Sequence, residues 1–206
     1  MQAEQIVMRS DDARRHALVA AGWVVTSRSW AAELTTARVS IDVLSVLTER
    51  GRRAGSVREM VDADLGSVLA LDSATLADYP GGVATQHVAL TPSTARVTGT
   101  RRAFGIIDDD GRALAVTYLD VAGGRAETDF TVVAADHRGL GLGTAVKAAS
   151  VLTLARDGVE VFRTGGSAEN AAILRANLRL GYVVDEEWLT LSAPDDSRVP
   201  GVREAH

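Results

Sequence analysis

The chain has 206 residues, 46% hydrophobic and 24% charged, ordinary globular values that exclude global disorder and leave room for one domain and a fraction at ~150 residues per domain. Its 22 Lys and Arg stand against 27 Asp and Glu, a net charge of −5, which argues against a general nucleic-acid binder with its basic footprint. It has no cysteine, which excludes thiol nucleophiles, cysteine metal sites and thioesters on the protein.

The N-terminus, MQAEQIVMRSDDARR, lacks the basic-then-apolar order of a signal peptide, and no apolar run reaches the ~18 residues of a membrane span. A soluble, cytoplasmic protein with no membrane partner is expected. Residues 1–54 read as an N-terminal extension. In it Arg14–Val25 echoes Ile173–Val184: each is a helix that stops at glycine (Gly22, Gly181), then an aromatic (Trp23, Tyr182), then Val-Val. The echo reads either as shared helix-stop chemistry or as the last helix and strands of a second domain copy. Strands of such a remnant need a partner edge, in the same chain or across a homodimer. Arg50–Gly55 is polar and Gly-rich and reads as a linker.

Residues 55–193 form the expected main domain. Ser56–Met60 is a short strand; Asp62, Asp64 or both cap a helix with apolar Leu65, Val68, Leu69 and Leu76. Asp78-Tyr79-Pro80-Gly81-Gly82 breaks it, and Thr85–Ala95 is ambiguous, with a second short helix as one reading. Arg101–Ile107 and Ala113–Val121 are strands joined by the turn Asp108-Asp109-Asp110-Gly111. Gly123-Gly124 turns the chain into a long strand from Arg125 to about Ala134. A glycine-rich loop, Asp136–Gly143, leads into a helix through Arg156, stopped at Asp157-Gly158. Val159–Arg163 is a buried strand, Glu169–Leu180 a helix, and Tyr182–Val184 and Glu187–Leu191 are closing strands. Residues 194–206 read as a flexible tail. This order is α/β with a mixed sheet.

The loop Arg138-Gly139-Leu140-Gly141-Leu142-Gly143 carries the chemistry. A helix start exposes N–H groups without internal partners, the helix dipole adds roughly half a positive charge, and glycines let a phosphate approach the backbone. A P-loop needs Gly-Lys-Ser/Thr, but Thr144-Ala145 follows Gly143 and Lys147 comes a turn too late. A dinucleotide fingerprint needs its third glycine three residues after the second, and opens its domain. Arg138, Gly141 and Gly143 fit the acyl-CoA loop, Arg/Gln-x-x-Gly-x-Gly/Ala. On the preceding strand Glu127 and Asp129 are candidate general bases, placed by alternation on one face with Thr131 and Val133. His137 reads as capping or packing; His16, His87 and His206 lie in the extension, an uncertain segment and the tail, and no pair has metal-ligand spacing. Trp23, Trp30 and Trp188 read as packing aromatics. Lys147 is the one lysine among 22 basic residues, a bias read as coding-sequence composition.

Thr131–Lys147 and the stretch Glu169-Asn170 through Asn177, Leu180, Gly181 and Tyr182 resemble the two motifs of the GNAT superfamily of acyl-CoA-dependent N-acetyltransferases, including bacterial members that look like mycothiol synthase. The resemblance covers about Ser56–Ser192. It implies the GNAT acyltransferase fold, a mixed, mostly antiparallel sheet flanked by helices with splayed central strands. It implies acetyl-CoA as co-substrate, no metal, and an acetyl group moved to a primary amine by direct attack. Val132 and Val133 would meet the pantetheine arm with backbone groups. Arg138, Gly139, Leu140, Gly141, Leu142, Gly143 and Thr144 would cradle the pyrophosphate, and Asn170 would hold the arm or the loop after the Val159–Arg163 strand. Glu127 stands where the histone-acetylating branch carries its catalytic glutamate. Asn177 stands where many relatives carry an acidic tyrosine; its amide can hydrogen-bond the sulfur but cannot protonate it, so the general acid is unassigned. Ile173 replaces a methionine and Gly166 a frequent asparagine. The acceptor would be a small-molecule, protein or peptide amine. The alternatives are a CoA-binding module without turnover, acting as sensor or scaffold, and a nucleotide-phosphate enzyme using the loop for ATP.

Overall fold

A computed structural model describes residues 4–78 and 82–194. Its frame is one sheet in the order β1-β8-β2-β7-β6-β5-β4-β3. The strands are β1 (Gln5–Arg9), β2 (Val24–Thr35), β3 (Ser56–Glu59), β4 (Arg101–Ile107), β5 (Ala113–Ala122), β6 (Arg125–Val133), β7 (Val161–Ser167) and β8 (Val183–Ser192). The helices are α1 (Arg14–Ala20), α2 (Ile41–Gly51), α3 (Leu65–Thr75), α4 (Leu142–Arg156) and α5 (Ala171–Leu180). Every strand pair is antiparallel except β6 with β7. The architecture is therefore the expected α/β one, with a mixed, mostly antiparallel sheet flanked by helices.

Apolar residues cover both sheet faces. On one, Ala148, Val151 and Leu154 of α4 and Leu44 of α2 pack on Leu34, Ala126 and Phe162. On the other, Val68 and Leu71 of α3 pack on Val116, Tyr118, Phe130 and Val132. Arg58 holds the start of α3 by a bidentate pair to Asp64, whose carboxylate also accepts the Val61 N–H at 2.9 Å. The expected linker at Arg50–Gly55 is corrected at its start. Gly51 closes α2 and is buried on α4, where a Cβ would come within 2.6 Å of Ala145 Cβ. Thr85–Ala95 follows a 3-10 turn at Val83–Thr85 and ends in a turn closed by Ala95 N–H to Thr91 O, instead of forming a second helix. The two closing strands are one, β8. Tyr79–Gly81 of the helix break and residues 195–206 of the tail lie outside the described residues.

The N-terminal segment is woven into the sheet. β2 lies between β7 and β8, and β1 flanks β8 on its other side. The units β1-α1-β2 and β7-α5-β8 therefore interleave, so the edge sought by the N-terminal strands is in the same chain, and they give no ground for a dimer. Both helices end alike. Gly22 and Gly181 have φ of +89° and +97°; Trp23 N–H donates to Leu18 O and Tyr182 N–H to Asn177 O. This is the glycine-capped stop that satisfies the last helical carbonyls, and it is the structural feature the two echoing stretches share.

β6 departs from simple alternation. Thr128 pairs with Leu119 and Phe130 with Tyr118, which leaves Asp129 as an extra residue. Such a bulge reverses the faces on its two sides. Ala126 packs on the α4 side, whereas Phe130 and Val132 pack on the α3 side. Glu127 consequently faces α3 with Phe130 and Val132. It does not share a face with Thr131 and Val133, which corrects the expectation from alternation.

Candidate active site

β6 and β7 pair only over Arg125–Glu127 against Val161–Arg163. Beyond Glu127 and Arg163 the strands part, and the β7-facing edge of β6 from Thr128 to Val133 has no strand beside it. The fork opens into a cavity of about 1170 Å³ that runs from Gly141 and Thr144 past Val133 to Glu127 and His87.

At one end of this cavity α4 begins. Gly139 and Gly141 have φ of +79° and +81°, a conformation that disfavours side chains. Gly141 is the N-cap of α4, and no side chain caps it. The N–H groups of Leu142, Gly143 and Thr144, in the first turn, thus have no intrahelical acceptor. A Cβ on Gly143 would sit 3.3 Å from Val133 Cγ2, so the loop lies tight against the end of β6. Arg138 Nε donates to Val133 O at 3.3 Å, and its Nη2 pairs with Asp78 at 3.0 Å. Arg163, Arg175 and Arg179 line the same cavity. An anion-binding loop, an unpaired strand edge and the Arg175 and Arg179 side chains in one cavity fit the pyrophosphate and peptide-like arm of an acyl-CoA.

The residues singled out in the sequence are distributed unevenly. Val132, Val133, Arg138, Gly139, Gly141, Leu142, Gly143, Thr144, Asn170 and Glu127 line the cavity. Leu140 is 63% exposed at the loop tip. Asn170 caps α5, its Oδ1 accepting the Ile173 N–H at 3.1 Å. Asp129 is engaged by Arg101 Nη2 at 2.7 Å, which leaves Glu127 as the unpaired carboxylate of the two candidates among the described contacts. Asn177 departs from expectation. It is fully buried behind α5, is not part of the cavity wall, and neither amide atom has a hydrogen-bond partner among the described residues. The helix turns that position away from the cavity, so it does not reach a sulfur there.

Two groups emerge only in the structure. His87 lines the cavity with its ring centroid 4.0 Å from that of Phe130; its Nε2 lies 2.6 Å from Asp72 Oδ1, and both side chains are buried. Asp72 Oδ2 also accepts the Leu90 N–H at 2.8 Å. These residues are fifteen apart, on a helix and an irregular segment, and no sequence spacing joins them. Lys147 is the other. Its Nζ donates to Thr128 Oγ1 at 3.2 Å and Thr164 Oγ1 at 3.1 Å, one donor toward each arm of the fork. Its solitude among arginines was the available signal. Trp30 is core, as expected, and lies over Gly166, where a Cβ would come within 2.9 Å of Cζ2.

No family model matches the chain, and no curated protein does. Solved structures do. A GCN5-related N-acetyltransferase from Kribbella flavida aligns over 95% of this chain and 70% of its own, at 17% identity and a TM-score of 0.61. A tandem GNAT protein from the clavulanic acid biosynthesis pathway aligns over 93% of this chain and 64% of its own, at 20% identity and a TM-score of 0.61. The ribosomal-protein-S18-alanine N-acetyltransferase from Escherichia coli aligns over 73% of this chain and 99% of its own, at 16% identity and a TM-score of 0.52.

The chain has the GNAT fold.

The mostly antiparallel sheet flanked by helices is the fold these structures share with it. This chain spans less than two thirds of the tandem GNAT protein's length. Among the described residues no helix is long and apolar enough to cross a membrane, and no three His, Cys, Asp or Glu side chains cluster as metal ligands.

Proposed function

We propose that the chain is a cytoplasmic acyl-CoA-dependent N-acyltransferase that moves an acetyl group from acetyl-CoA to a primary amine by direct attack. The observation that carries this reading is the single cavity joining the uncapped start of α4, the free edge of β6 and Glu127. Backbone N–H groups from Arg138 to Thr144 hold the pyrophosphate, with Arg138 as counter-charge. Val132 and Val133 receive the pantetheine arm along the open edge, and Asn170 holds the start of α5 beside it. The acceptor nitrogen must be neutral to attack, and alkylammonium groups titrate near 10, so a base is required. Glu127 is the proposed base. The His87–Asp72 pair is the second candidate, because the carboxylate orients the imidazole and the ring lines the same cavity.

Binding is tested by thermal shift with acetyl-CoA, with ATP and NAD as controls, on wild type and Gly141→Glu. Acetyl-CoA at 100 times its Kd should add roughly 2.7 kcal/mol of stability. Stabilisation by acetyl-CoA alone, absent in Gly141→Glu, is the expected result; stabilisation by ATP instead would overturn the reading. With an amine acceptor, Glu127→Gln should lower kcat/KM by about 10²–10⁴ while His87→Gln stays near wild type. The reverse pattern moves the base to His87. The sealed Asn177 favours one competing reading, a CoA-binding module without turnover; that reading requires binding with no CoA release for any amine.

A further inference from the structure

We propose that Lys147 is the proton donor to the CoA thiolate that leaves during acyl transfer. The assignment rests on the acyltransferase reading above and fills the acid role that Asn177 cannot reach. Lys147 lies on α4 and is 1% exposed. Its hydroxyl partners, Thr128 and Thr164, directly follow the last β6–β7 pair, Glu127 with Arg163. The ammonium therefore sits where the two strands part, and Lys147 contributes to the cavity wall.

The groups that face Nζ are Thr128 from β6, Thr164 from β7 and the ring of Tyr182, the residue before β8, whose centroid is 5.6 Å away. The titratable neighbours along the strands are engaged or turned away. Arg163 pairs with Asp185, Asp129 with Arg101, and Glu127 faces the α3 side. Among the described residues no carboxylate pairs with Lys147. An ammonium has three donors, and the two threonines take two. A buried cation without a counter-anion is costly, and burial pushes its pKa down from 10.5 to about 7. Negative charge developing on a sulfur in the fork offsets that cost and draws the third N–H.

The step balances without another reactant. The acceptor nitrogen's lone pair forms the C–N bond, the C–S bond breaks, and its electron pair leaves on sulfur. Sulfur takes the Nζ proton, which yields CoA thiol and a neutral Lys147. The base takes the proton lost by nitrogen, and Nζ regains one from solvent as CoA departs.

The test compares wild type with Lys147→Met, which keeps the length and removes the proton, using acetyl-CoA as donor and hydroxylamine as acceptor. Hydroxylamine is already unprotonated at neutral pH, so no base is needed to free its lone pair before attack. The chain has no cysteine, so a thiol reagent reads released CoA alone. Calorimetric Kd for acetyl-CoA, a thermal melt and an intact mass accompany each rate. We expect a melted-as-folded Lys147→Met that binds acetyl-CoA within about threefold of wild type and turns over about a hundredfold more slowly. The wild-type rate should fall as pH rises through about 7, where the ammonium is lost, and Lys147→Met should lack that limb. Lys147→Gln serves if the methionine variant does not fold. Unchanged turnover, an unchanged pH profile or lost binding would overturn the assignment alone. An acetyl adduct on wild type that is missing in Lys147→Met would make Lys147 an acceptor and overturn it as well. A wild type that neither binds acetyl-CoA nor releases CoA would overturn the acyltransferase reading, and this assignment with it.

Discussion

At the residue scale the free energy of Lys147 has a measurable sign. In the unfolded chain a lysine titrates near 10.5, and in the fold burial holds this one near 7. Between those values the unfolded chain binds more protons, so stability rises with pH from about 7 to about 10.5 and is lowest below 7. Lys147→Met removes that penalty. We expect it to gain about 1–4 kcal/mol at and below neutral pH, the range for replacing buried charges by hydrophobic residues, with the gain fading toward pH 10.5. Denaturant unfolding at several pH values measures it. A gain in stability with a loss of turnover is the pattern of a group kept for chemistry. In the sequence Lys147 stands out only as the lone lysine, in the helix that the glycine loop announces, and the fork above it gives the side chain its setting.

At the element scale β6 and β7 decide the site. Alternation along β6 assigned Glu127 to the face of Thr131, and the bulge at Asp129 reversed it. The sequence shows no glycine or proline there, because a bulge is set by pairing with β5 and not by local propensity. On β7, Gly166 lets the Trp30 ring of β2 lie against the strand. Gly166→Asn places a Cβ within 2.9 Å of that ring and 3.3 Å of Ile173 Cγ2, and should cost about 1–3 kcal/mol in a thermal or denaturant melt. The glycine loop, in contrast, was legible. Its spacing expresses a purely local need, positive φ at Gly139 and Gly141 and closeness to β6 at Gly143.

At the scale of the whole molecule the interleaving of β1-α1-β2 with β7-α5-β8 sets what can be removed. Trp30, Ala32 and Leu34 of β2 are buried in the same cluster as Phe162, Leu180 and Tyr182. A chain lacking residues 1–35 would leave β7 and β8 with open edges and that cluster exposed. We expect it to aggregate or to show no cooperative melt by circular dichroism. A soluble, cooperatively folding fragment would mean that the division at residue 54 marks a separable domain. β1 and β2 are structural parts of that one sheet.

The sequence by itself determined the elements with local causes: the α/β order, the anion loop at the start of α4, the glycine stops of α1 and α5, and the resemblance that pointed to acyl-CoA. These follow from backbone conformation and from spacing within a few residues. Tertiary structure alone decided the place of β2 between β7 and β8, the face of Glu127, the pairing of His87 with Asp72, the sealing of Asn177 and the position of Lys147 in the fork. Each of those depends on contacts between segments far apart in the chain, where a register shift of one residue or the parting of two strands changes what a side chain meets.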